Sequence, residues 1–296
     1  MGGTEIDFIS LRNDLLFHMV FTRNPEALKG LLSALLGISS TEILHVDVLN
    51  PMQYSELKDT KLTVLDLKLH LNHDRFILVE MQVRRFTFWT NRVLAYASRQ
   101  IADQVQGDFN YGSLEPVIQI SIMDHTLFPD HKRFFTTYTL RDETGYQYSD
   151  KLQLCVMDLT QIGQATEEQK QQGLVAWARA FRARSWNEVN VIEDAGVKEA
   201  AKTMQLILSN PSEREMIRAR MDAEIDWRTN LIAAREEGIQ RGIQEGLRKG
   251  FRKGREEGEL NLLAHLVKTG KLSLRDAAAQ KQMTEAEFAE RVKAFL

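Results

Sequence analysis

Asp66, Glu80 and Gln82 stand in the most apolar stretch of the chain, "LTVLDLKLHLNHDRFILVEMQV", with Lys68 close by. The Leu, Val, Ile and Phe on either side favour strands, and "NHD" between them reads as a turn. With that turn centred on His73, pairing is symmetric and position 66 falls opposite position 80. Directly opposed residues of antiparallel strands share a face, with Cβ atoms about 4.5–5.5 Å apart. The period of two then adds Lys68 beside Asp66 and Gln82 beside Glu80. Two carboxylates so placed repel unless a shared proton or a cation relieves them. Two acidic oxygens, a main-chain carbonyl and waters would suit Mg²⁺, which takes octahedral oxygen ligation and keeps several waters. A two-residue turn would shift the register and part the carboxylates. A solvent-facing strand surface would carry the same residue types.

The elements that must position these residues follow from periodicity. Residues 8–36 read as two helical pieces, broken at Asn24-Pro25, with Asn24 as cap, Pro25 at the first helical position and Gly37 as the stop. "EILHVDVLNP" reads as a strand ended by Pro51, and Leu62–Leu71 with Arg75–Val83 forms the hairpin. Phe86–Gln106 reads as a long amphipathic helix with Phe86, Trp89, Val93, Ala97, Ile101 and Val105 on one side. Val117–Met123, Phe134–Leu140 and Leu152–Leu159 are further strand candidates. Helix, strands, helix, strands in this order predict an α/β domain over residues 1–162. Residues 163–233 read as a helical region.

Residues 234–258 carry Gly at 238, 242, 246, 250, 254 and 258, a strict four-residue repeat that drifts slowly around a helix. Each Gly costs about 1 kcal/mol against Ala in a helix interior, so the segment reads as a linker or a marginal helix. A small-residue stripe that lets a second helix approach is the alternative, and self-association through the helical C-terminal half goes with it. Residues 259–296 read as a small helical element of three short helices, stopped first at Gly270. Ser273 with Asp276 and Thr284 with Glu287 give capping-box-like starts to the other two. Such an element suits a helical cap or a small DNA-binding unit.

Composition bounds the remaining readings. The 296 residues are 43% hydrophobic, enough for a sizeable core, and 38 basic against 41 acidic residues leave a formal charge of −3. No bulk basicity announces nucleic acid, although binding depends on where charge sits. The lone Cys155 lies in the apolar run "LQLCVMDL" and reads as a core residue. No apolar run approaches the roughly 18 residues of a membrane span, and no signal-peptide pattern opens the chain, so a cytoplasmic location without membrane contact is expected. The histidines show no ligand-like spacing, and P-loop, G-x-G-x-x-G and G-x-S-x-G patterns are missing. On the helix after the hairpin, Arg92, Tyr96, Arg99 and Asp103 form a stripe. Arg92 and Arg99, like Arg84, Arg85 and Lys68, are candidates to grip phosphates beside a metal, or else form an ordinary surface row.

Asp on one strand, Glu-x-Gln on the next and a helix after them resemble the PD-(D/E)XK nuclease core, with Gln in place of the usual Lys. More narrowly, "NDLLFHMVF", "LDLKL…FILVEMQV", "NRVLAYASRQIADQV", "EPVIQISIMDH" and the Gly-every-four tail resemble the Rpn family of recombination-promoting nucleases, or putative transposases. The first four landmarks cover most of residues 10–125 and the tail extends the match to about 258. The resemblance implies a mixed sheet flanked by helices and a Mg²⁺-dependent (or Mn²⁺-dependent) DNA endonuclease active in recombination or transposition. By its pattern Asp66 and Glu80 are metal ligands, the Met81 carbonyl is a third, Gln82 stands in the place of the catalytic Lys, and Asp14 matches the acid of the opening motif.

A divalent metal can both generate the hydroxide nucleophile and stabilise charge on the phosphorane-like transition state. A neutral amide such as Gln82 can orient water but adds no positive charge. A nuclease-derived DNA-binding or self-associating module without catalysis is therefore the alternative expectation.

Overall fold

The computed structural model describes residues 7–49, 66–105, 107 and 110–293. Helix α1 (Asp14–Arg23) is capped by the Asn13 side chain, and Asn24 then caps α2 (Pro25–Leu36) by accepting from Glu26 and Ala27, with Pro25 at the first position. Gly37 closes α2 at φ 65°, a left-handed conformation that favours glycine. Two helices thus replace the longer pair read from residues 8–36, because Asn13 starts the first one later.

Strand β1 (Val46–Leu49) precedes β2 (Leu67–Leu71) and β3 (Arg75–Gln82). The expected strand start at Leu62–Leu65 and the expected stop at Pro51 lie outside the described residues. Helix α3 (Trp89–Ala102) leads to β4 (Val117–Met123), and β5 (Phe135–Arg141) pairs with β6 (Gln147–Asp158). The expected end of the α3 segment at Gln106 is likewise outside the described residues. The sheet order is β1-β2-β3-β4-β6-β5. The β3–β4 and β4–β6 pairs are parallel and the others antiparallel, so α3 serves as the crossover that a parallel pair requires. All residues of central β4 are buried, as expected of a strand covered on both faces.

The short helices α4 (Glu167–Gln171), α5 (Leu174–Arg182) and α6 (Trp186–Asn190) follow, and then the longer α7 (Ala195–Ser209). Leu69, Val79, Ile120 and Met157 of the sheet share one core with Phe17, Leu31, Trp177, Phe181 and Met204 of α1, α2, α5 and α7. The other face carries α3, whose Ala97 packs on Leu78 and Val117 and whose Trp89 and Val93 pack on Met123. Odd positions of β3 therefore face the large helical layer and even positions face α3. Helices α2 and α7 meet at Gly30 and Gly196, where an added Cβ on Gly30 would come within 2.7 Å of the Gly196 Cα.

Helix α8 (Pro211–Lys268) carries the periodic glycines as continuous helix, and α9 (Leu274–Gln280) and α10 (Glu285–Val292) end the chain. Thr284 and Glu287 form a capping box, Ser273 caps α9, and Gly270 takes φ 70° at the stop before it. The chain divides into two compact units, Met1–Met221 and Asp222–Leu296. The first takes in the sheet and α1 to α7 and continues past residue 162. The second has its own small core, Leu260, Ala264, Ala278, Phe288 and Val292 among others. No helix among the described residues is long and apolar enough to cross a membrane.

Candidate active site

The hairpin turn decides where the acids fall. Asn72 and His73 take left-handed φ values of 51° and 56°, which Asn adopts more readily than most residues. The Asn72 side chain is locked by accepting from Leu44 and His45 and donating to the Glu42 carbonyl. The three-residue turn pairs Leu71 with Arg75 and Leu67 with Val79, so one further step sets Asp66 opposite Glu80.

Glu80 lies on β3 under α3, 3% exposed. Its Oε1 accepts from the Arg92 guanidinium, and Oε2 is buried without a hydrogen-bond partner among the described residues. Burial pushes the Glu80 carboxyl up to about 7, against the lowering pull of Arg92. Asp66 is held by two bonds: its Oδ2 accepts from the Met81 N–H at 2.5 Å, and its carbonyl meets His18 Nδ1 at 2.8 Å. Burial raises the Asp66 pKa well above the ordinary carboxylate range. The Met81 N–H draws it down, and the charges of Glu80 and Asp14 push it further up. Asp66, one residue before β2, and Glu80, on β3, are thus electrostatic neighbours.

Asp14 opens α1, where its Oδ1 accepts from Leu15 and its Oδ2 from Nε and Nη2 of Arg220 at 3.0 and 2.7 Å. Gln82 ends β3 half-buried, and its amide donates to the Arg84 carbonyl at 2.7 Å. Lys68 shares the α3 face; burial lowers its pKa, countered by Asp103. Arg92 is packed among the Phe86, Trp89 and Tyr96 rings, 5.2–5.8 Å from their centroids, so its charge is spent inside the site. Its Nε is also buried without a hydrogen-bond partner among the described residues. Arg99 reaches Asp103 at 3.8 Å along the exposed side of α3, and Arg85 is exposed near His125.

The donor set fits a divalent cation: a buried carboxylate oxygen without a partner, a second acid repelled by it, and a third acid within electrostatic reach. Glu80 and Asp66 would hold the ion, with Asp14 able to join through water. The acids do not, however, form a tight three-ligand cluster with Asp14 engaged by Arg220. Among the described residues the His, Asp and Glu group whose ligand atoms all lie within 4.8 Å of one another is Asp47, His70 and His73, at the hairpin's other end. The histidine spacing in the sequence hid that group, because Asp47 reaches it from a separate strand.

Residues 11–234 match the family described as PD-(D/E)XK nuclease family transposase. The chain belongs to this family. No curated protein and no solved structure matches it. Membership supports a nuclease-like function on a DNA substrate, and PD-(D/E)XK nucleases generally use divalent metal ions. The matched span covers the hairpin, α3 and all of α1 to α7, and it continues into α8. The helical layer behind the sheet is thus part of the family's own architecture.

Proposed function

We infer that the chain is a Mg²⁺-dependent or Mn²⁺-dependent DNA endonuclease of the cytoplasm that hydrolyses phosphodiester bonds in recombination or transposition. The observation that carries this reading is the buried, unpartnered Oε2 of Glu80 beside Asp66. A carboxylate oxygen out of water without a donor costs free energy unless a proton or a cation meets it. A bound divalent ion would supply Lewis acidity and a hydroxide-like water. The chain's own residues would do the rest. Asp66 and Glu80 hold the charge in place, and the Met81 N–H fixes the Asp66 carboxylate. Arg92 favours the ionised form of Glu80 against the burial that raises its pKa. Gln82, turning its amide from the Arg84 carbonyl, would orient water or phosphate.

The test is relaxation of supercoiled plasmid by the purified chain with Mg²⁺, Mn²⁺ or EDTA, alongside Asp66→Asn and Glu80→Gln. Metal-dependent nicking that both variants abolish supports the reading, and nicking that survives both overturns it.

A second reading is favoured by a different observation. Glu80 is already matched by Arg92, Asp14 by Arg220, and Gln82 by a main-chain carbonyl. A site so neutralised suits a nuclease-derived DNA-binding module. Salt-dependent DNA binding without nicking under any divalent metal would select it. Either reading accommodates self-association through α8, where Ile239, Ile243, Leu247 and Phe251 are 50–78% exposed at a four-residue spacing.

A further inference from the structure

The arginines singled out after the hairpin are not the ones that the fold gathers. A cavity of about 430 Å³ beside the strand ends is lined by Arg12, Arg179, Arg182 and Arg184, with Glu188 at its edge. Arg12 precedes α1, Arg179 and Arg182 share one face of the last turn of α5, and Arg184 follows that helix. We propose that this pocket binds a backbone phosphate of duplex DNA flanking the bond to be cut; the proposal rests on the nuclease reading above and deepens it.

Position is the first argument. Arg12 pairs with Asp124, and the Asp124 N–H donates to the Gln82 carbonyl at 3.0 Å. Arg182 also approaches Asp124, Nε to Oδ1 at 3.8 Å, and donates to the Leu159 carbonyl. The pocket therefore adjoins Asp124, one residue beyond β4 and bonded to Gln82 at the end of β3, and Arg12 is only two residues from Asp14. Parallel strands β3, β4 and β6 end there, and the carboxyl ends of strands are where α/β sheets usually bind ligands.

Charge is the second. Four guanidinium groups face the carboxylates of Glu188 and Asp124, in a chain whose formal charge is −3. Local positive charge against an acidic average is what steers a polyanion to one face. Basic residues in the last turn of α5 would also complement its helix dipole, which accounts for Arg179 and Arg182 alone. It does not account for Arg12 and Arg184, which enter from outside the helix. Arg179 and Arg184 are exposed, and neither guanidinium is engaged by a carboxylate among the described residues. The planar fork of Arg suits bidentate contact with phosphate oxygens.

The experiment is fluorescence anisotropy of a labelled DNA duplex with the full chain in EDTA, which suppresses cleavage, across a salt series. Arg179→Ala/Arg184→Ala and the charge-conserving Arg179→Lys/Arg184→Lys are compared with the native chain, with circular dichroism confirming that each is folded. The alanine pair is expected to bind about tenfold or more weakly, with the slope of log K against log salt shallower by about 0.9, the value for one lost phosphate contact. The lysine pair should keep most of that slope. An alanine pair with the native affinity and slope overturns the pocket, and plasmid nicking by the same variant would show the nuclease reading standing without it. A native chain that binds no duplex overturns the pocket, and metal-dependent nicking assayed in parallel decides the fate of the wider reading separately.

Discussion

The guanidinium of Arg92, on α3, donates to Oε1 of Glu80, on β3, and leaves Oε2 of the same carboxylate buried with no partner among the described residues. This half-satisfied pair links the crossover helix to the chemistry. Removing the cation leaves a buried anion uncompensated, which typically costs about 3–5 kcal/mol. Arg92→Leu should therefore lose about 3 kcal/mol of stability at pH 8, measured by urea unfolding. At pH 5 the loss should shrink to about 1 kcal/mol, because Glu80, already near 7 with Arg92 present, is then protonated. Equal losses at both pH values would mean that the pair contributes packing alone.

The raised Glu80 pKa also sets a pH dependence for the metal-free chain. Between about pH 4.5 and 7 the folded state holds a proton on Glu80 that the unfolded state has released. Stability from this group is then full below about pH 4.5 and is lost as pH rises through 7, a fall of about 3 kcal/mol that Glu80→Gln should remove. A divalent ion binds only the ionised form, so Mg²⁺ should raise the melting temperature at pH 8 and leave it nearly unchanged at pH 5. A Mg²⁺ effect equal at both values would argue against these acids as ligands.

Asp14 offers a separate lever. Its ion pair with Arg220 has side chains 41% and 59% exposed, so it contributes only about 0.2–1 kcal/mol. If Asp14 assists metal binding, Arg220→Ala should lower the Mg²⁺ concentration for half-maximal nicking by about 1.4- to fivefold, the same energy read as a ratio. Asp14→Asn should raise it. Identical metal titrations in all three proteins would confine Asp14 to starting α1.

How far this site was legible in the sequence depends on whether local rules determine it. Asn72, His73 and the apolar alternation around them set the hairpin register, so opposing Asp66 and Glu80 needed no tertiary information. Asn24, Pro25 and Thr284 announced helix ends through capping chemistry that acts within a few residues. What stayed hidden was assembled from distant segments. Arg92 reads as a DNA contact from its stripe on α3, and only the seating of α3 on the sheet shows it turned inward to Glu80. Arg12, Arg179, Arg182 and Arg184 share no motif, because Phe17 and Phe181 packing in one core is what brings α1 and α5 together. The continuation of the first unit beyond residue 162 is of the same kind: Trp177 and Met204 complete a core that the sheet alone leaves open.

The glycines make the last contrast, since the same residue type is expected to answer in opposite directions at two places. An added Cβ on Gly196 would meet the Gly30 backbone at 2.9 Å and the Trp177 ring at 3.0 Å, so Gly196→Ala forces α2 and α7 apart. Overpacking of this sort costs about 1–3 kcal/mol and should appear as a lower melting temperature of the full chain. At Gly242 and Gly250 an added Cβ meets nothing within 4 Å, so Ala there should stabilise α8 by about 1 kcal/mol each through helix propensity. Helicity by circular dichroism reads that gain. Retention of those glycines would then serve something other than the helix itself, and a second copy of α8 approaching along the Gly stripe is the direct candidate. Light scattering separates the cases. Gly242→Ala/Gly250→Ala and removal of residues 235–296 should both lower the assembled mass if the stripe is the interface. Unchanged mass with raised helicity would leave the repeat without a role in assembly.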